Sequence, residues 1–430
     1  MKTLKDGLTA LGHEVLVVTC SPTTKKHYIK DGVLYCPAKA IKSIYGFGVA
    51  YPYSKKRLEI LREFNPDIIH VHTEFSMGLF GIWAAKKLKK TLVYTLHTAY
   101  DDYVYYVMPK VLARMVGGKV LDKFLGLYAG KSKAIVGPSP KCFEYIKKTS
   151  HRKKVRILPN SVEMTLFDPS KIDVKEVNEI RNELNIPNDA FVACFVGRMG
   201  TEKSVDVTLD FLAKTLKKDD NIYFVAIGDG PDLENLKKQA NDLNLQDRVR
   251  FTGKVEHDKL PIYYAMSKLY LTSSLTEMNS ISMLEAMAMG LPVLQRMDEV
   301  NKDQILEGKN GYIFFNENDM YKHLKKLSEY TEDEYKKIRF EVEETVCQKD
   351  ETGIAKKELE VYKKAMERGK LQEMMKRKNK EKSNTNRKGR FHLILSFMQK
   401  YAKSSRFISS DLHFVASVDV LLSTSCFLLL

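Results

Sequence analysis

The stretch Glu277-Met-Asn-Ser-Ile-Ser-Met-Leu-Glu285 runs directly into Ala286-Met-Ala-Met-Gly-Leu-Pro-Val293. Two carboxylates stand eight positions apart. The pattern reads as a loop, then a small apolar helix, then a Gly290-Leu-Pro stop and re-entry into a strand. Open α/β sheets place ligands at such loop-into-helix units, at the carboxyl ends of their strands. Glu277 falls in the loop and Glu285 on the helix. Both carboxylates can accept hydrogen bonds from neighbouring hydroxyls of a sugar or ribose. The amides between them, around Asn279, Ser280 and Ile281, can face an anion. Two solvated glutamates on a surface helix are the simpler reading. The apolar run and the Gly-Leu-Pro stop weigh against it.

A second motif lies upstream, in Phe195-Val-Gly-Arg-Met-Gly-Thr-Glu-Lys-Ser-Val-Asp206. A buried strand, 190–196, ends at Gly197, where the backbone can bend sharply. Arg198 and Lys203 flank the turn into a helix predicted over 205–216. Arg198 offers a planar fork of donors and Lys203 a compact positive charge. Two cations at a helix start suit a diphosphate. Alone, Arg198 reads equally as an interdomain salt-bridge residue and Lys203 as a solvated lysine.

The rest of the chain alternates strands and helices. Strands are predicted over 14–19, 67–72, 92–96, 134–136, 191–196, 223–227, 249–251, 269–272 and 292–295. Helices lie between them, such as 55–64 and 233–243. This is the βαβ rhythm of doubly wound sheets, and 430 residues suffice for two domains. A hydrophobic fraction of 44% is that of an ordinary globular protein. The six cysteines are scattered without a C-x-x-C pair, which points to free thiols in a reducing compartment. No signal peptide is visible at the start.

With both motifs on the page, the chain resembles the retaining nucleotide-sugar glycosyltransferases of the GT-B fold, with their G-R-x-x-x-x-K phosphate clamp and E-x7-E segment. The resemblance runs from about residue 1 to about 365. Further segments fit in order: Asp67-Ile-Ile-His-Val-His72, Tyr94-Thr-Leu-His97-Thr98, Ile157-Leu-Pro-Asn-Ser-Val162, Ala226-Ile-Gly-Asp-Gly-Pro231 and Phe251-Thr-Gly-Lys-Val255. The resemblance implies two Rossmann-like domains facing across a cleft. The first, 1–163, lies on the acceptor side; the second, 164–345, binds the nucleotide sugar. A helical segment, 346–368, returns to the first domain, and 369–430 forms a basic disordered tail with an apolar end.

The resemblance also assigns roles. Glu285 holds the ribose hydroxyls and Glu277 those of the transferred sugar. Arg198 and Lys203 stabilise the departing diphosphate, and His97 faces the reacting sugar. Gly197, Val255, Asn279, Ser280 and Ile281 complete the donor site. No metal and no cofactor beyond the nucleotide sugar are expected. His70 and His72 share a strand face and read as structural.

Three departures from the family stand out. Met1 to Leu11 already reads as the first helix, so the leading strand and its glycine loop are absent. The first domain is therefore expected to lack a central strand, leaving unpaired backbone groups. A misplaced start, a truncated product and an inactive paralogue all fit. Ser280 and Ser161 each stand where the family often has glycine.

The acceptor is read from charge and aromatic pattern. Net charge is +16, from 70 Lys and Arg against 54 Asp and Glu. Basic residues alternate with apolar ones at helical spacing over 110–128, which suits an anionic membrane or an ordinary domain helix. The segment His97-Thr-Ala-Tyr-Asp-Asp-Tyr-Val-Tyr-Tyr106 is similar to the acceptor region of bacterial diacylglycerol glucosyltransferases. That branch implies UDP-glucose as donor, diacylglycerol as acceptor, and a peripheral place on the cytoplasmic face of the plasma membrane. Asp101 and Asp102 carry no catalytic assignment. No specific nucleic-acid partner is expected. The apolar end, 414–430, is either a membrane anchor or a frameshifted tail. A soluble or polysaccharide acceptor, and a non-catalytic binding protein, remain the competing readings.

Overall fold

The computed structural model describes residues 1–41, 47–97, 118–149, 154–300, 302–398 and 426–429. Asp101, Asp102, most of the aromatic segment 97–106 and half of the basic-apolar stretch 110–128 lie outside these residues. Two α/β sheets organise the chain. The first holds β1 (Leu16–Ser21), β2 (Tyr28–Lys30), β3 (Val33–Pro37), β4 (Ile68–Val71), β5 (Thr91–Thr95), β6 (Ala134–Gly137) and β7 (Val155–Ile157). The second holds β8 (Phe191–Val196), β9 (Ile222–Ile227), β10 (Val249–Gly253), β11 (Leu269–Thr272), β12 (Val293–Arg296) and β13 (Gly311–Phe314). A last strand, β14 (Cys426–Leu429), joins the first sheet.

The second sheet runs β10-β9-β8-β11-β12-β13, with every pair parallel. Its order reverses at β8 and β11, so a crevice opens at their carboxyl ends. Both motifs found in the sequence start there: Gly197 follows β8, and the Glu277 loop follows β11. Strands β8 and β9 are buried at every position, as a sheet covered on both faces requires.

The first sheet is likewise covered on both faces, and its alternation can be read residue by residue. Leu16, Val18, Ile69, Val71, Leu92, Tyr94 and Ile135 enter one core. Val15, Val17, Ile68, Val93, Ala134 and Val136 enter the other. The period of two sends neighbours to opposite faces. Helices α2 (Lys55–Phe64), α3 (Ser76–Leu88) and α4 (Lys141–Thr149) supply the first core. Helices α1 (Lys2–Ala10) and α7 (Glu351–Met398) supply the second. Gly7 lets α1 and α7 meet closely: a Cβ there would lie 2.3 Å from the Glu351 carbonyl oxygen.

The structure alters the sequence reading in several places. The strands β2, β3, β7 and β13 are short and were not expected. Helix α7 continues through the basic run 369–398, which had been expected as a disordered tail. Its Lys, Arg, Glu, Gln and Met residues are strong helix formers. The first sheet has no open slot: its order is β2-β3-β1-β14-β4-β5-β6-β7. β14 lies antiparallel between β1 and β4, pairing Leu16 with Leu429 and Val71 with Phe427. It thus satisfies backbone groups that a covered sheet centre cannot give to water.

Candidate active site

The second domain carries helices α5 (Val205–Thr215) and α6 (Ile281–Ala288) at the crevice. Ser280 caps α6, its Oγ accepting from the Met283 amide at 3.4 Å. Serine at the family's glycine position therefore has a structural task. Ile281, in the first turn, is half exposed, while 283–288 are buried. Gly290 sits at φ +76°, which ends the helix and turns the chain into β12. Two glycines bring the ends of β8 and β9 together. A Cβ on Gly228 would lie 2.0 Å from the Gly197 carbonyl oxygen.

The clamp and the carboxylate segment converge. Lys203 Nζ lies 2.5 Å from Glu277 Oε1, both partly buried. Lys203 closes a single 3-10 turn, and Ser204 follows it in the left-handed region at φ +52°. Arg198 follows Gly197 at the same strand end, half buried. Val255, two residues beyond β10, packs against the second-domain core.

Glu285 is buried at 4% exposure and held from two sides. Its Oε1 lies 2.8 Å from His257 Nε2, and its Oε2 accepts from the Tyr264 hydroxyl at 3.1 Å. Tyr264 bonds the Ser282 carbonyl as well, at 3.0 Å. A carboxylate has about four lone-pair sites, so capacity remains for a diol. Nothing in the spacing of His257 or Tyr264 pointed to Glu285; only the folded sheet brings them together.

Across the crevice, β5 ends just before His97, whose side chain is exposed. Its Nε2 lies 2.9 Å from His72 Nδ1. His72, read as structural, lies against the predicted site residue His97. His72 Nε2 is buried with no hydrogen-bond partner among the described residues. One of the two rings donates and the other accepts in this contact, according to their tautomers. His70, by contrast, is wholly structural: Nδ1 meets the Tyr362 hydroxyl and Nε2 the Thr95 hydroxyl, each at 2.7 Å. Behind this strand end, Tyr94 and Tyr128 donate to the buried Glu74, a residue the sequence did not single out.

The domains meet at this site. Asn160, in the linker after β7, donates its amide to Asn279 Oδ1 at 2.8 Å and its Nδ2 to the Asn279 carbonyl at 2.7 Å. Asn279 Nδ2 donates to Gln304 Oε1 at 2.9 Å. Asn279 thus sits at the interdomain joint. Lys141, opening α4, reaches Asp298 Oδ2 at 2.9 Å. Among the described residues, no group of three or more His, Cys, Asp or Glu is placed to hold a metal.

Paired doubly wound domains, with a cation pair and two carboxylates at the switch point of the second, define the GT-B glycosyltransferase class. Residues 1–166 match Glycosyltransferase Family 4, and residues 176–343 match Glycosyl transferases group 1. The chain belongs to this glycosyltransferase family. It is 34% identical to an alpha-monoglucosyldiacylglycerol synthase of Acholeplasma laidlawii, over 75% of this chain and 81% of that protein. It is 30% identical to the protein of the same name from Streptococcus pneumoniae, over 74% of this chain and 72% of that one. Among solved structures, a glycosyltransferase from Rickettsia africae aligns with TM-score 0.64 at 17% identity, over 85% of this chain and 93% of that one. Anabaena Alr3699/HepE, solved in complex with UDP, aligns with TM-score 0.58 at 19% identity, over 72% and 81%. At such identities the structural likeness speaks for the fold.

Proposed function

We propose that this glycosyltransferase moves glucose from UDP-glucose to diacylglycerol with retention, giving an α-glucosyl lipid. The observation that carries this reading is the Lys203–Glu277 junction at the crevice, in a chain 34% identical to an alpha-monoglucosyldiacylglycerol synthase. Glu285, oriented by His257 and Tyr264, accepts from the ribose hydroxyls. Arg198 and Lys203, with the amides near Ile281, bind the diphosphate. Glu277 accepts from the glucose hydroxyls, and His97 hydrogen-bonds the sugar across the cleft.

In the transfer, the bond from the anomeric carbon to the β-phosphate oxygen breaks, and its electron pair leaves with UDP. The acceptor hydroxyl oxygen bonds to that carbon on the same face. Its proton passes to the departing phosphate oxygen. The positive charges of Arg198 and Lys203 favour this step because the diphosphate gains charge as it leaves. No side-chain nucleophile is required.

The enzyme works at an anionic membrane surface. The net charge of +16 supports this, and the diacylglycerol in the names of the two relatives supports a lipid acceptor. Among the described residues no helix is long and apolar enough to cross a bilayer. The test is UDP-glucose turnover with diacylglycerol in anionic vesicles, with the anomeric configuration of the product read by NMR. An α-glucosyl lipid, lost in Glu277→Ala and Lys203→Ala, is the expected result. Turnover with a soluble glucan but not with diacylglycerol overturns the acceptor. A β-linked product overturns retention.

A further inference from the structure

Met278 stands between Glu277 and Asn279, on the loop of the second domain, yet its side chain belongs to the core of the first. It is 5% exposed and packs in the cluster that holds Leu96, Leu125, Tyr128, Cys142 and Ile146. Its Sδ lies 3.6 Å from the Cys142 thiol. That thiol also lies 3.5 Å from the carbonyl oxygen of Leu96. Leu96 immediately precedes His97, and Met278 immediately follows Glu277. One side chain therefore bridges the neighbours of two proposed site residues that come from opposite domains.

We infer that Met278 is a positioning residue, a plug from the donor-site loop whose seating in the first domain sets the separation of Glu277 and His97. Three observations converge on it. Among the described residues, the plug is buried in a core to which its own sheet contributes nothing else. The neighbouring Asn279 is tied to the interdomain linker by two hydrogen bonds from Asn160. Lys141, one residue before Cys142, spans the same seam to the Leu275 carbonyl at 2.5 Å and to Asp298. Seating the plug, tying the linker and closing the seam are one event. An apolar plug suits a reversible joint, because it leaves its socket without stranding a polar group. A thioether adapts to an irregular socket better than a branched side chain does. When the domains part, Met278 withdraws, Cys142 loses its cover, and Glu277 moves away from His97. Closure of this kind gates many transferases and hydrolases.

Cys142 is the built-in reporter. It is fully buried with Met278 in place, and burial pushes its thiol up to about 11. Cys194 is a control, because it lies fully buried on β8 inside the second domain. The experiment is pulsed alkylation of the whole chain with a small thiol reagent, read peptide by peptide by mass spectrometry. Met278→Ala is expected to raise the Cys142 rate about tenfold or more while Cys194 stays protected. Met278→Leu is expected to keep the wild-type rate. UDP is expected to slow Cys142 alkylation in the wild type more than in Met278→Ala. Unchanged Cys142 protection in Met278→Ala overturns the inference. If Met278→Ala exposes Cys194 too, it has unfolded, and Met278→Val is read by the same criteria.

A kinetic arm rests on the proposed glucosyl transfer. Met278→Ala is expected to lower kcat about tenfold or more, with a smaller change in the KM for UDP-glucose, because reactant geometry rather than donor affinity is lost. The alkylation arm needs no turnover, so failure of the substrate assignment and failure of the plug are separate results.

Discussion

The Lys203 ammonium and the Glu277 carboxylate, 74 residues apart in the chain, meet at 2.5 Å at the mouth of the crevice. The pair ties the turn after β8 to the loop after β11. In the proposed reading, a bound donor draws Lys203 to the diphosphate and Glu277 to the sugar. Lys203→Ala is expected to cost about a hundredfold or more in kcat, the scale for removing one preorganised charge stabiliser. Glu277→Gln is expected to weaken glucose recognition while sparing UDP affinity. Steady-state kinetics with titration of UDP alone checks both. Equal loss of UDP binding in the two variants overturns the division of roles.

The His72–His97 contact makes a second prediction. If His72 fixes the His97 ring through this contact, His72→Ala lowers kcat about tenfold with donor affinity kept. His72→Asn, which retains a side-chain N–H, is expected to recover part of the loss. Activity unchanged in His72→Ala returns His72 to a purely structural place.

Much of this site was legible because its residues lie at strand ends marked by glycine and by apolar runs. Gly197, Arg198, Lys203, Glu277 and Glu285 follow continuous buried stretches, so their place at one sheet edge followed from the βαβ rhythm. His257, Tyr264 and Asn160 were not legible as site residues. Each touches its partner only through folded geometry: His257 sits 28 residues before Glu285, and Asn160 lies 119 before Asn279. Met278 was hidden for another reason. A methionine in an apolar stretch looks like core, and it is core, but of the opposite domain. The short strands β2, β7 and β13 escaped because three or four residues carry too little period to separate strand from loop. Helix α7 outran its expected end because a polar composition alone does not distinguish a solvated helix from a disordered tail.

Glu358 on α7 makes stability depend on pH. Its side chain is buried at 3% exposure, and burial raises its carboxyl from the ordinary 4.5 to about 8. His70, whose Nδ1 lies 3.7 Å away, is pushed by burial well below its ordinary value, so the two face each other uncharged near neutrality. The folded chain keeps the Glu358 proton up to about 8, and the unfolded chain loses it near 4.5. The folded state thus binds more protons in this window, and stability falls as pH rises through it. The contribution is full below the unfolded value and is lost by the folded one. Glu358→Gln is expected to flatten this slope and raise the melting temperature at pH 8 to 9. Thermal melts from about pH 5 to about pH 9 check it. A slope identical to wild type means another group carries the dependence.

The last strand offers the clearest test of the first sheet. β14 pairs with β1 from Leu16 to Thr19 and with β4 from Ile69 to Val71. Both neighbours lie mid-sheet, covered by α1 and α7 on one face and by α3 on the other, so water cannot replace the lost backbone partners. Each unsatisfied buried group costs about 1–3 kcal/mol, and removing β14 strands several. A chain ending at residue 425 is expected to show faster amide exchange at Val18 and His70, together with a lower melting temperature for the first domain. Amides of β8 and β9 in the second sheet are expected to keep their protection, since β14 makes no pairing there. Re-adding residues 422–430 as a free peptide is expected to restore protection at β1 and β4 in proportion to its concentration. Unchanged exchange at Val18 and His70 in the shortened chain means that some other segment, rather than Cys426–Leu429, occupies the centre of the sheet in solution.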